Sequence, residues 1–253
     1  MHARSALFDV YGDHLRSRGS QAPVAGLVRL LEPVGIQPPA VRTAISRMVT
    51  EGWLEPVRVG PGRGYRATDR TIRWLDDVSA RVYRSEERSW DGRWHLALVE
   101  QPAGRPERQR LRADLTFIGY AEIHPHTWVS PYARAELAEV LERAGAGARR
   151  VRADEVEPSP TGAWDLPGLA AAYRSFLAEA EELLADVGSD DQSAFAARFR
   201  LVHEWRKFLF TDPGLPAELL PDDWPGHAAA DVFTGEARRL KPAADRFVAS
   251  CLE

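Results

Sequence analysis

One cysteine in 253 residues, Cys251, removes several chemistries at once. No intrachain disulfide can form, no Cys-rich zinc site can be assembled, and a place two residues from the C-terminus argues against a buried thiol nucleophile. Long apolar runs are missing too. None approaches the ~20 residues that span a bilayer, and residues 1–12 mix charges into every turn where a signal peptide needs an apolar stretch. A cytoplasmic protein with no membrane partner is expected. Lysine is scarce, two residues against 31 arginines. Arginine favours planar, bidentate contacts to phosphate and guanine, although a GC-rich genome produces the same bias. The net charge is only -4, with 44% hydrophobic and 28% charged residues, which describes a folded chain and not a disordered one.

That small net charge conceals an asymmetry. Residues 1–84 carry 13 Arg against 8 acids, whereas residues 85–253 carry 20 Lys plus Arg against 29 acids. Only the N-terminal third suits a polyanion. Its apolar spacing predicts a first helix over Ser5 to Arg18, a short second helix opened by Pro23 with Val24, Leu27, Leu30 and Leu31 on one face, and a third over VRTAISRMVTEGWL. On the third helix Val41, Ala44, Ile45, Met48 and Val49 form one stripe. The opposite face carries Arg42, Thr43, Ser46, Arg47 and Thr50, with no acid among them. WLEPVRV, GPGRG and YRAT then read as strand, tight tip and returning strand. Three helices and a hairpin make a winged helix-turn-helix, in which Arg42, Thr43, Ser46 and Arg47 would face the major groove. Arg58, Arg63 and Arg66 on the hairpin would reach phosphates or the minor groove.

After a connecting helix, Thr71 to Arg84, residues 90–156 read as strand (Trp94 to Glu100), helix (Glu107 to Phe117), two short strands, helix (Ala133 to Ala144) and strand (Arg149 to Ala153), a ferredoxin-like βαββαβ order. His124 and His126 lie two apart near the hairpin, but Pro125 interrupts the strand and no acid or thiol completes a ligand set, so no metal is expected. Trp128 can serve the core or stack on an aromatic ring. The segment EPSPTGAWD is a junction, followed by an amphipathic helix from Leu166 to Leu184. On a helix from Phe195 to Phe210, Arg206 falls inside the apolar stripe and His203 borders it. A guanidinium removed from water needs an anionic partner. That partner is either a carboxylate of the same domain, such as Asp212 or Asp165, or the anion of an effector, with His203 donating to a carbonyl and Trp205, Phe208 or Trp224 stacking on a ring.

The stretches SALFDVYGDHLR, VRTAISRMVTEGWL, DGRW at 91–94 and LVHEWRKFLFTDPGLPAELLPDDWPG together resemble the PaaX-type transcriptional regulators, over nearly the full length. The last motif is the longest and most specific. The resemblance implies a homodimeric repressor of an aromatic-catabolic operon, without a cofactor, binding a double-stranded operator and released by an aryl-coenzyme A thioester such as phenylacetyl-CoA. It implies an α+β multidomain chain: a winged helix-turn-helix over 1–86, a ferredoxin-like domain over 87–157 similar to Cas2, and an α-helical effector and dimerisation domain over 158–253. In the family this hairpin usually lacks the histidines that stand here as His124 and His126. Because Cas2 is a metal-dependent nuclease fold, a nuclease or small hydrolase is the competing reading. The first strand here offers only Glu100, and one carboxylate makes a poor two-metal site, so no catalytic residue is expected. A purely architectural dimer adaptor is a third reading.

Overall fold

A computed structural model describes residues 1–82 and 89–253. The last two residues of the expected connecting helix, Tyr83 and Arg84, lie outside the described residues. The chain divides into two compact units: Met1–Arg84 with Arg174–Leu209 and Gly226–Glu253, and Ser85–Tyr173 with Phe210–Pro225.

The first unit begins with α1 (Ala3–Asp9), which runs on through a π-helical turn (Val10–Leu15) and a 3-10 turn (Arg16–Arg18). The helical path stops where expected, at Gly19 with φ 73°. The expected single helix is therefore a composite, and its wide turn carries Asp13 and His14. A short strand that the sequence pattern does not reveal, β1 (Gln21–Pro23), leads into α2 (Val24–Leu31), with Leu27, Leu30 and Leu31 buried. Next come α3 (Pro38–Thr50), which buries Val41, Ala44, Ile45 and Met48, then β2 (Leu54–Val59), β3 (Gly62–Ala67) and α4 (Asp69–Val82). The sheet order is β1-β3-β2, all antiparallel. Gly64 lets β3 lie between its neighbours, because a Cβ there would sit 2.5 Å from Val59 Cγ2 and 2.6 Å from the Ala22 carbonyl oxygen.

In the second unit β4 (Trp94–Val99), α5 (Arg105–Phe117), β5 (Ala121–His124), β6 (Thr127–Ser130), α6 (Leu137–Ala144) and β7 (Ala148–Ala153) follow the expected βαββαβ order. The sheet runs β5-β6-β4-β7 and is antiparallel throughout. Ala97, Val99 and Trp128 face Leu111, Leu115, Leu137 and Val140 of the two helices. Trp94, on the opposite face, is covered by Trp164 in a stacked contact at 6.3 Å and by the edge of Trp90 at 5.3 Å. The helix α7 (Leu166–Ala185) continues the chain beyond the junction.

The first unit also holds α8 (Asp191–Trp205) and, after a short α9 (Phe208–Thr211), the long α10 (Pro225–Leu252). Phe195, Phe199, Ala244, Val248 and Cys251 of α8 and α10 share one core with α1, α2 and α3. On α10 the buried residues Ala229, Phe233, Ala237, Leu240, Ala244, Val248 and Cys251 recur every three or four positions, an unbroken helical stripe despite Pro242. Cys251 is buried at 4% exposure, contrary to the expectation from its terminal position. Burial raises its thiol pKa, so the side chain packs as a small hydrophobe. The helix expected over Phe195 to Phe210 ends at Trp205, and α9 is separate from it.

Candidate nucleic-acid interface and its buried ionic anchor

The solvent face of α3 is built by default: its apolar stripe fixes the rotation of the helix, and Arg42, Thr43, Ser46, Arg47 and Thr50 are left exposed. Thr43 donates its hydroxyl to the Pro39 carbonyl at 2.9 Å and Thr50 donates to the Ser46 carbonyl at 3.2 Å. Their hydrogens are committed, which leaves Arg42, Ser46 and Arg47 as the donors that can reach outward. No ion pair holds Arg42 or Arg47 among the described residues.

The hairpin presents a second set. Arg58 and Arg63 are cross-strand partners next to the two-residue tip, Gly60-Pro61, where Gly60 has φ 57°. The Arg63 guanidinium lies 5.4 Å from the Tyr65 ring. Arg66 differs, since it is directly opposite Glu55 and donates to it through Nε at 2.8 Å and Nη2 at 2.5 Å. Of the three hairpin arginines, Arg58 and Arg63 thus keep an unneutralised charge among the described residues.

The same unit buries a cluster of charge. Asp9, 3% exposed, receives Arg206 in an ion pair and His203 Nδ1 at 2.6 Å. The carboxylate partner of Arg206 is therefore on the first helix; Asp212 instead accepts from the Tyr173 hydroxyl, and Asp165 accepts from the Gly168 amide at 2.9 Å. Burial lowers the His203 pKa, so at neutral pH a neutral imidazole donates its Nδ1 hydrogen to Asp9 while Arg206 balances the charge. Arg206 Nε is buried without a hydrogen bond. One turn along, Asp13 pairs with Arg198, itself 3% exposed, whose Nε donates to the Ala237 carbonyl at 3.0 Å. Tyr11 adds a neutral anchor by donating to the Tyr65 carbonyl at 2.9 Å.

Spacing along one helix singles out Arg206 and passes over Arg198, Asp9 and Asp13. A signal existed: Asp9 and Asp13, four apart, interrupt the apolar spacing of ALFDVYGDHL. Trp205 stacks on Phe233 at 4.7 Å and 8° and touches Phe176 and Phe208. Trp128 belongs to the second unit, where it is 2% exposed in the core beneath α5 and α6. Glu100 is exposed at the end of β4, and His124 and His126 are exposed at the β5–β6 turn, His126 with φ 67°. Among the described residues no three His, Cys, Asp or Glu side chains are grouped to hold a metal ion.

His14 supplies a testable consequence of this burial. It is packed on Phe195, and its two ring nitrogens make no hydrogen bond, although an Asp13 oxygen lies 3.4 Å from Nε2. Burial is the largest influence and, against Asp13 and Asp245 and with Arg198 and Lys241, lowers its pKa to about 4. The unfolded chain therefore binds the proton that the folded chain refuses, and stability falls as pH drops through the ordinary histidine range. Between pH 7 and pH 5 the loss from this group is about 2 kcal/mol. Urea unfolding at the two pH values is expected to show it, and His14→Phe should remove most of the difference. An unchanged difference in that variant would assign the acid sensitivity elsewhere.

Three family descriptions match the chain in order: PaaX-like protein over residues 2–71, PaaX protein central Cas2-like domain over 87–161, and PaaX-like protein C-terminal domain over 164–250. The Transcriptional repressor PaaX of Escherichia coli (strain K12) is 30% identical, across 96% of this chain and 82% of that protein. Among solved structures, the uncharacterized protein Rv0674 from Mycobacterium tuberculosis superposes with a TM-score of 0.67 at 27% identity, covering 97% of this chain and 98% of that one. No helix among the described residues is long and apolar enough to cross a membrane. By its match along almost the whole length to a repressor of that name, this chain belongs to the PaaX-like family.

Proposed function

We propose that the protein is a DNA-binding transcriptional repressor that reads an inverted-repeat operator as a homodimer through the exposed face of α3. The observation that carries this reading is the acid-free surface formed by Arg42, Ser46 and Arg47, with Arg58 and Arg63 unneutralised among the described residues on a neighbouring hairpin. Helix side chains of this kind suit base edges in the major groove, and arginines on a hairpin suit the backbone. A two-fold dimer sets two half-sites, hence an inverted repeat. The name of the Escherichia coli relative supports repression. The nuclease alternative gains nothing from these relatives and is set aside.

The effector in this reading is an aryl-coenzyme A thioester such as phenylacetyl-CoA. Release requires that it bind free protein more tightly than the DNA complex. Arg206, His203 and Asp9 offer a route: an anion taking Arg206 would strip a buried carboxylate of its cation, and Asp9 stands at the end of α1, which packs against α3. Trp205, next to Arg206 in sequence, is the stacking candidate for the aryl group; Trp128, buried in the core of the second unit, presents no ring face to a ligand. Sequencing of genomic fragments retained by the purified protein is expected to return an inverted repeat, and phenylacetyl-CoA should elute them. Retention of fragments without a shared motif would refute the operator; elution by coenzyme A alone as effectively as by the thioester would refute the aryl effector.

A further inference from the structure

The second unit contains a basic hollow that the proposed repression does not use. On the sheet, His95 is paired with Arg152 and Ala97 with Arg150, so His95, Arg150 and Arg152 project from the same face as Ala97, the face that α5 and α6 cover. The approach to α6 leaves part of that face open, and a cavity of about 270 Å³ remains between the two strands, Tyr120, Arg134 and Leu137. Arg134 is held firmly there: Nη2 donates to the Pro213 carbonyl at 2.9 Å, and Gly119 packs so closely that a Cβ would lie 2.6 Å from that nitrogen.

Tyr120 is 3% exposed. Burial, aided by Glu136 and opposed by Arg134 and Arg150, raises its phenol pKa, so the hydroxyl stays protonated and able to donate. Arg152 donates to Asp91 at 3.2 Å, whereas Arg150 has no ion pair among the described residues. Arginines on an exposed strand are ordinarily just solvated. Here, however, the phenol, Arg150 and Arg152 line one space, to which Arg134, already engaged by the Pro213 carbonyl, adds positive charge.

We infer that this hollow binds the phosphate or diphosphate group of a small molecule, with Arg150 and Tyr120 as the principal contacts. A small molecule is favoured over a nucleic-acid backbone because Tyr120, which lines the cavity, is itself buried, and the convex ridge of a duplex does not reach a buried phenol. By contrast, the groove between α7 and α10 is rimmed by Glu181, Asp231 and Glu236, which repel an anion. The inference does not depend on operator binding.

The test is calorimetric titration of the full chain with pyrophosphate at low ionic strength, with no DNA present. Saturable binding at one site per chain is expected. Arg150→Ala and Tyr120→Phe should each weaken it about tenfold or more, while Arg110→Ala, an exposed arginine on α5, should leave it unchanged. Melting curves of the two hollow variants, expected to match wild type, confirm that they fold. Absence of saturable binding would overturn the site, as would an equal loss in Arg110→Ala, which means general surface charge. Loss of duplex binding in Arg150→Ala with pyrophosphate binding intact would assign the surface to nucleic acid instead.

Discussion

Replacing Asp9 by Ala should destabilise the protein by about 3 to 5 kcal/mol, the usual cost of stranding one half of a buried ion pair. Against the roughly 5 to 15 kcal/mol that holds a typical domain together, this is a large fraction. The mechanism is specific: Arg206, 14% exposed at its side chain, loses its carboxylate, and His203 loses the acceptor at 2.6 Å. Urea unfolding reads the change directly. Asp9→Asn keeps an acceptor for His203 but not the charge, so it should fall between wild type and Asp9→Ala. A loss below about 1 kcal/mol in Asp9→Ala, the range of exposed pairs, would mean that water reaches this cluster.

The second large effect concerns recognition. The double substitution Arg42→Ala, Arg47→Ala should reduce operator affinity by one to several powers of ten, since each bidentate base contact contributes about 1 to 3 kcal/mol. Affinity for unrelated DNA should change far less. Arg63→Ala should instead weaken all sequences alike and reduce the salt slope by about one. These outcomes separate base reading from backbone positioning, because the two surfaces differ in what they can touch. Equal losses on operator and unrelated duplex in the double variant would show that α3 does not read bases.

What was legible in the sequence was whatever depends on local spacing. The stripe of α3 and its exposed arginines, the β2–β3 hairpin around Gly60-Pro61, and the order β4 to β7 all follow from periods of two and 3.6 with glycine and proline at the breaks. Strand β1 escaped because three residues ending in proline carry too little pattern to register. The composite nature of the first helix escaped for a different reason: a single wider turn leaves the buried residues Leu7, Val10, Tyr11, His14 and Leu15 three or four positions apart, the same pattern an α-helix gives.

Partners distant in sequence were beyond such reasoning. Spacing placed Arg206 in an apolar stripe and required an anion, but the anion proved to be Asp9, at the other end of the chain, rather than a carboxylate nearby. The same holds for Arg198 and Asp13. A pattern on one helix states that a buried charge needs a partner; only tertiary packing states which one. The common core of α1, α2 and α3 with α8 and α10 is likewise a product of long-range contacts.

Whether α3 confers sequence-specific DNA binding is decided by competition between operator and scrambled duplex at about 0.15 M salt. Specific regulators favour their sites by roughly 10³-fold or more under such conditions. A preference of that order for the inverted repeat is expected, and it should disappear when Arg42 and Arg47 are both replaced. Equal affinity of the wild-type protein for operator and scrambled duplex would contradict base reading by this helix.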